Sequence, residues 1–209
     1  MGRTAFRVYH GPSIYSHHPV IRCRPEVPGH LARDLDSIGK DLFTLLPGLR
    51  ERHALCESAL DRSSDGSSNG WISHLFEHIG LELQNLVGAE LGCVRAGPTR
   101  IPSDDALIPF EDEAVGLEAG ALALEFIESM GSARPPMDWS RRLRAFVRLG
   151  ERERLPIQDR AMMRAAEARD IPVVRRAGRI IQLGYGRNQH RLSGTKTTHT
   201  NIVGNDLAA

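Results

Sequence analysis

The hydrophobic pattern of the first 25 residues predicts two paired β-strands. In TAFRVY and PVIRCR, β-branched and aromatic residues are frequent, as is typical of strands. The stretch between them, HGPSIYSHH, contains a glycine and a proline that favour a turn. We therefore expect the chain to begin with two strands that pair through this turn.

Two longer segments carry apolar residues at helical spacing. One runs from His30 to Leu46 and the other from Glu113 to Met130, and glycine and proline follow each of them. A third segment, MDWSRRLRAFVRLGERERL, predicts an arginine-rich amphipathic helix. Because most runs of charge are solvated faces, this helix is more typical of a connector than of a core element.

Shorter segments complete the pattern. DRSSDGSSNG, residues 61–70, predicts a mobile surface loop. ALIPFEDE predicts a short strand, in which Pro109 favours an edge position. From residue 160 onward, RAMMRAAEARDIPVVRRAGRIIQLGYG predicts helix, strand, turn and strand, which is typical of the start of an α/β unit.

The predicted fold class is α+β. It consists of a small sheet with packed amphipathic helices, then a helical connector, then the start of an α/β unit. We place the domains at 1–133, 134–154 and 155–209, because the composition becomes arginine-rich in the middle segment.

Composition and charge exclude several classes of protein. The chain is 41% hydrophobic and 25% charged, with a formal net charge of +1, so electrostatics make no case for a nucleic-acid partner. No run approaches the roughly 20 apolar residues of a membrane helix, and the polar start lacks the apolar region of a signal peptide. The 3 cysteines have no CxxC spacing, which argues against a disulfide scaffold or zinc ribbon. We expect a cytoplasmic protein without a membrane partner.

The segment WISHLFEHIGLELQ, residues 71–84, places imidazoles and carboxylates on one predicted helix. His74 and His78 differ by about 40° around the helix axis and by roughly 6 Å along it, so both rings can reach one ion. Glu77 flanks the same face. In this HxxEH pattern two histidines bind zinc, the metal lowers the pKa of its bound water to about 7, and the glutamate acts as general base.

A catalytic zinc ion normally takes a third protein ligand, often a carboxylate. Glu82 continues the stripe after His78, but one straight helix rarely surrounds a tetrahedral ion with three ligands. Glu118 lies on the next strong helix, where Gly116 and Gly120 would allow two helices to pack closely. We therefore expect Glu118 to bind the metal and Glu82 to orient an imidazole.

A structural interpretation of the same helix stays open. HxxEH is short enough to arise by chance, and the four polar residues could form a salt-bridge cluster on the surface. They are not needed for packing, because the helix has a separate apolar face. That face consists of Trp71, Leu75, Phe76, Ile79, Leu83 and Leu86.

Other motifs are incomplete. SGTKTTHTN is similar to a phosphate-binding loop but lacks the glycine that must directly precede the lysine. GYGRNQ does not complete GxGxxG and indicates a hairpin turn instead. The sequence has no GxSxG elbow, and its cysteines are not in a recognisable nucleophile setting.

Several segments in order carry a family resemblance: YHGPSIYSHHPVI, LFTLLPGLRERHALC, NGWISHLFEHIGLELQNLVGAELG, FEDEAVGLEAGALALEFIE, RAMMRAAEARDIPVVR and IIQLGYGRNQHRLSGTKTTHTNIVGNDLAA. Together they cover most of the chain and resemble the cyanophycin synthetase family. Members build a polyaspartate chain that bears arginine on its side chains. The resemblance implies an N-terminal domain followed by the start of an ATP-grasp lobe, so the chain alone would not ligate amino acids. ATP and Mg²⁺ would belong only to the full-length protein.

The resemblance also implies a function for the N-terminal domain. It implies binding of the cyanophycin polymer and, in some members, a zinc peptidase-like site that cuts the polymer into primers. Carried onto this sequence, the HxxEH positions are His74, Glu77 and His78, and the later glutamate is Glu118. The implied partners are the polymer and either the remaining synthetase domains or further copies of the chain. The alternatives are a binding module without catalysis and a gene fragment without an independent role.

Overall fold

The computed structural model describes residues 5–25, 46–49, 68–92, 105–130, 138–176, 179–194, 196–197 and 199–200. The chain divides into two compact units, Met1–Glu153 and Arg154–Ala209. The fold class is mixed α+β, as predicted, with two small antiparallel sheets and four helices in the described residues.

A three-stranded antiparallel sheet forms the β part of the first unit. Its strands are β1, Arg7–Tyr9, β2, Val20–Cys23, and β3, Ala106–Pro109, in the order β1-β2-β3. The predicted pairing of the first two strands is confirmed, with Val8 opposite Ile21. The predicted edge position of Pro109 is confirmed as well, because among the described strands β3 pairs with β2 alone.

In the described residues of the first unit there are three α-helices. Helix α1 is Ser68–Leu86, α2 is Glu113–Met130 and α3 is Trp139–Glu153. The predicted bounds of α2 are confirmed at both ends. The predicted loop over residues 61–70 is wrong for its last three residues, 68–70, because they form the start of helix α1. The rest of that loop and the predicted helix His30–Leu46, apart from Leu46 itself, lie outside the described residues.

Glycines let both long helices approach the sheet. A Cβ atom on Gly80 of α1 would lie 2.6 Å from Cδ1 of Ile108, and one on Gly116 of α2 would lie 2.7 Å from Cβ of Phe110. A Cβ on Gly120 would meet the ring of Phe6 at 3.0 Å. The expectation that the α2 glycines allow two helices to pack closely was therefore wrong, since they face the sheet and its flanking residues.

We expect Gly116→Ala to lower the free energy of unfolding by about 1–2 kcal/mol. The new methyl group would overlap Cβ of Phe110, an atom fixed to the backbone, and overpacking costs more than the helix propensity that alanine gains. Chemical denaturation would measure the loss. The control is Gly92→Ala, whose Cβ would meet nothing within 4 Å. Equal stability of the two variants would contradict the contact.

The second unit is a helix on a small sheet. Helix α4, Ile157–Glu167, packs against β4, Val173–Arg176, and β5, Ile180–Leu183. Strands β6, His190–Ser193, and β7, Lys196–Thr197, extend the sheet in the antiparallel order β4-β5-β6-β7. The predicted order of helix, strand, turn and strand is confirmed. The stretch GYGRNQ connects β5 to its antiparallel neighbour β6 as predicted.

No helix in the described part of the chain is both long enough and apolar enough to cross a membrane.

Candidate functional site

Helix α1 is buried on more than its apolar side. Phe76, Ile79 and Leu83 lie in the core, and so do the polar residues His74 and His78, which are 8% and 3% exposed. Buried polar side chains of this kind need partners, because an unsatisfied polar group in a core is costly. The alternative of a salt-bridge cluster on the surface is therefore wrong.

The two histidines point their Nε2 atoms at each other. These atoms are 3.0 Å apart, and the rings stand edge to face with their centroids 4.3 Å apart. Two nitrogen ligands on one tetrahedral zinc ion lie about 3.4 Å apart, because each Zn–N bond is about 2.0–2.1 Å. The observed separation is close to that value and also allows a direct hydrogen bond between one protonated and one unprotonated nitrogen.

Glu77 connects helix α1 to the sheet. Its Oε1 accepts a hydrogen bond of 2.8 Å from the backbone N–H of Leu107 in β3. Its Oε2 lies 4.0 Å from Nδ1 of His74, on the side of the ring away from the Nε2 pair. One carboxylate therefore contacts both the strand and the histidine pair, which fixes its position beside the imidazoles.

Gln84, which sequence analysis gave no role, makes a second connection to the same strand. Its buried Nε2 donates to the carbonyl of Pro109 at 2.9 Å and to the carbonyl of Gly80 at 3.1 Å. Phe110 N–H donates to the carbonyl of Pro19, the residue just before β2. Because bonded positions alternate along an antiparallel pair, the N–H of Leu107 and the carbonyl of Pro109 face away from β2. The feature of the sequence that could have indicated this role is the seven-residue spacing of Glu77 and Gln84, about two helical turns, which places them on the same side of the helix.

Glu82 is buried and lies against the turn at Gly48. A Cβ atom built on Gly48 would be 2.0 Å from Oε1 of Glu82, so any larger residue at position 48 would require this carboxylate to shift. The predicted role of Glu82, to orient an imidazole, stays a prediction. The contact instead joins α1 to the short segment 46–49 that precedes it in sequence.

Glu118 lies in an ion-pair network between α2 and α3. Its Oε1 accepts from Nη1 of Arg142 at 3.2 Å, and the same guanidinium donates to both oxygens of Glu125 at 2.7 and 2.9 Å. These hydrogen bonds, above all those to Glu125, raise the pKa of Arg142. Within the described residues, no group of three or more His, Cys, Asp or Glu side chains is placed to hold a metal ion.

Cys23 lies near the carboxylates but is not arranged as a nucleophile. Burial raises the pKa of its thiol far above the usual value, and the negative charges of Glu77 and Asp105 raise it further. Because the thiolate is the reactive form, this cysteine is unreactive at neutral pH.

The arrangement combines a pair of imidazoles with an anchored carboxylate. His74 and His78 fit two of the three protein ligands of a catalytic zinc site, because their Nε2 atoms converge on one point. Glu77 is the carboxylate nearest to them by sequence and contacts His74. The same residues can equally hold α1 in place through hydrogen bonds alone.

Comparison with known proteins identifies the family. A family model described as the cyanophycin synthase-like N-terminal domain matches residues 26–132, just over half of the 209 residues. The cyanophycin synthetase of Geminocystis herdmanii is 30% identical over 84% of this chain and 22% of its own length. Those of Trichormus variabilis and Synechocystis are each 32% identical, over 71% and 66% of this chain and 17% and 16% of their own lengths.

The chain thus spans about a fifth of the length of these relatives. The matched range includes helices α1 and α2 and strand β3, and so all five residues predicted for the site. The chain belongs to the family of cyanophycin synthase-like N-terminal domains.

Proposed function

We propose that this chain acts as the N-terminal part of a cyanophycin synthetase, where it binds the polymer of aspartate and arginine. We further propose that His74 and His78 hold a zinc ion that serves to cut this polymer into primers. The observation that carries the zinc proposal is the 3.0 Å approach of the two Nε2 atoms inside a buried helix. Family membership and the names of the relatives support the polymer as the ligand.

The proposed chemistry assigns each residue a separate task. His74 and His78 would hold the metal through Nε2, and zinc would supply a Lewis acid that makes water easier to deprotonate. Glu77 accepts the proton of the water that attacks a peptide carbonyl of the polymer, as a general base does. In the structure its hydrogen bond to Leu107 N–H holds the carboxylate on the Nδ1 side of His74, so Glu77 would have to turn toward the Nε2 pair to act as this base. Glu118 remains the proposed third ligand, for which its side chain would have to leave Arg142.

Other parts of the proposal concern the longer protein. The second unit, with its helix α4 and antiparallel sheet, is proposed to open an ATP-grasp lobe. ATP and Mg²⁺ would act only with the remaining synthetase domains. The polymer, these domains or further copies of the chain are the proposed partners.

A module that binds the polymer without cutting it is the second candidate. The observation in its favour is that the two carboxylates expected to do chemistry have structural contacts, Glu77 with Leu107 N–H and Glu118 with Arg142. In this case the histidine pair would be a hydrogen bond within the core.

Metal analysis of the purified chain separates the two candidates. We expect about one zinc ion per chain after dialysis against trace zinc, and a loss of most of it in His74→Ala and in His78→Ala, because each removes a ligand. The control is His17→Ala, which changes an exposed histidine. Zinc content that is equal in all four proteins would exclude the metal site. Binding of the chain to immobilised polymer, measured in parallel, tests the polymer as ligand independently of the metal.

A further inference from the structure

Two exposed histidines lie at the open end of the last described hairpin of the second unit. His190 is the first residue of β6, and His199 is the second residue after β7. The centroids of their rings are 5.7 Å apart, and the ring planes are inclined by 53°. The proposed function uses neither of them.

The register of the hairpin brings these two residues together. Leu192 stands opposite Thr197, so the same register two residues further along places His190 opposite His199, although β7 itself ends at Thr197. Directly opposed residues of an antiparallel pair have Cβ atoms about 4.5–5.5 Å apart. Gly194, whose φ is +60°, lies in the tight turn that joins the strands and sets this register.

Hydrogen bonds fix the backbone at His199. Thr197 Oγ1 accepts from His199 N–H at 3.1 Å, and Thr200 Oγ1 accepts from Thr197 N–H at 2.8 Å. The N–H of Thr200 also donates to the carbonyl of Thr197 at 3.0 Å. The turn that follows β7 is therefore held to the strand, and the ring of His199 remains beside that of His190.

Neither ring is committed to another protein group. Both histidines are exposed, and among the residues that the structure describes neither imidazole makes a hydrogen bond or an ion pair. A neutral imidazole has one unprotonated nitrogen, and this nitrogen is a preferred ligand of zinc, nickel and copper. The two rings are thus free to bind a ligand from solvent.

The cations nearest in sequence leave their strands on the opposite face. Arg191 follows His190 on β6, and Lys196 precedes Thr197 on β7. Successive side chains of a strand point to opposite faces, so these two cations do not share the face of the histidine pair. A metal ion between the imidazoles would face neither of them directly.

The separation of the rings fits two ligands of one metal ion. A Zn–N bond is about 2.0–2.1 Å and the ring centre lies about 1.1 Å beyond the nitrogen, so two imidazoles on a tetrahedral ion have centroids about 5 Å apart. The observed 5.7 Å is slightly longer. Small rotations of the two exposed side chains close this difference without a change in the backbone.

We propose that His190 and His199 form a surface site for a divalent ion of zinc, nickel or copper. The two imidazoles bind the ion, and water completes its coordination, so the site is exchangeable and not a closed structural centre. The bound ion joins β6 to the turn that follows β7. This site lies in the second unit and the pair of His74 and His78 lies in the first, so the two metal proposals are independent.

Titration of the 209-residue chain with Zn²⁺, followed by NMR of the histidine rings, tests this proposal. We expect the ring signals of His190 and His199 to shift together and to saturate with one ion for the pair. Single alanine variants assign the two signals. Because the second imidazole of a chelate binds at a high effective concentration, we expect His190→Ala to lower the zinc affinity measured at His199 about tenfold or more.

Two controls accompany the titration. The variant His17→Ala/His18→Ala removes two exposed histidines from the first unit, and the zinc affinity measured at His190 and His199 should change less than about twofold. Mg²⁺ prefers oxygen ligands, so it should leave both ring signals in place. Because His190 and His199 are exposed, their alanine variants should unfold at the same temperature as the original chain when zinc is absent.

Any of three results would contradict the site. A shift of one ring signal without the other would mean that a single imidazole binds an adventitious ion only. An undiminished zinc affinity at His199 in His190→Ala would mean that the two rings do not share an ion. Equal shifts with Mg²⁺ would mean that the rings respond to ionic strength alone. The signals of His74 and His78 report separately, so failure here leaves the first zinc proposal standing.

Discussion

Replacing Glu77 with glutamine is expected to lower the rate of polymer cleavage by about 10²- to 10⁴-fold, the usual contribution of a general base. Glutamine keeps a side-chain oxygen that can accept the hydrogen bond from Leu107 N–H. The variant loses only the carboxylate's ability to take a proton. Its zinc content and its free energy of unfolding should therefore match those of the original chain. A cleavage assay on polymer of defined length measures the rate, metal analysis measures the zinc content, and chemical denaturation measures the free energy of unfolding.

Glu77→Ala provides the comparison. This variant removes both the base and the acceptor of Leu107 N–H, so we expect the same loss of cleavage and also a loss of about 1–3 kcal/mol in the free energy of unfolding. If glutamine and alanine destabilise the chain equally, the hydrogen bond to β3 does not hold the carboxylate. If cleavage persists in both variants, Glu77 is not the base.

Replacing Asp105 with alanine is expected to lower the free energy of unfolding by about 3 kcal/mol. Its carboxylate is buried and serves both Arg22 and Arg24, so its removal leaves two guanidiniums beside Arg7 without a compensating charge. Breaking a buried ion pair by removing one partner costs about 3–5 kcal/mol, and partial solvent access to both arginines favours the lower end. Urea denaturation near neutral pH measures the effect.

Two further aspartate variants identify the origin of this loss. Asp138→Ala removes an exposed cap of α3, whose Oδ1 accepts from Arg141 N–H at 2.9 Å, and should cost about 1 kcal/mol. Asp105→Asn keeps one acceptor oxygen without the charge. Its loss in free energy of unfolding should lie between those of Asp138→Ala and Asp105→Ala. A smaller loss in Asp105→Ala than in Asp138→Ala would contradict the central role of the ion pair.

Local pattern predicted much of the secondary structure. The strands TAFRVY and PVIRCR contain β1 and β2, and the predicted bounds Glu113–Met130 are those of α2. Pro109 was predicted to lie at an edge, because proline cannot donate a hydrogen bond to a neighbouring strand. These features depend on residues close together in sequence, so the sequence carries their signal.

Contacts between distant segments were not predictable in this way. Asp105 and Arg22 are 83 residues apart, and nothing in either segment indicates that β2 pairs with β3. The prediction for Glu118 considered only the pairing of α2 with α1, whereas Arg142 of α3 contacts this glutamate. The approach of His74 and His78 was predictable, because it follows from the helical repeat alone.

The contacts of Glu77 and Gln84 with β3 have a consequence for how molecules of this protein can associate. A strand with exposed backbone groups is a template on which another chain can add a strand. Along β3 the side chains of α1 already occupy the outward N–H of Leu107 and the outward carbonyl of Pro109. Within the described residues, a continuous intermolecular extension of this three-stranded sheet, whether in a dimer or in an aggregate, would therefore have to grow from β1 at the opposite edge.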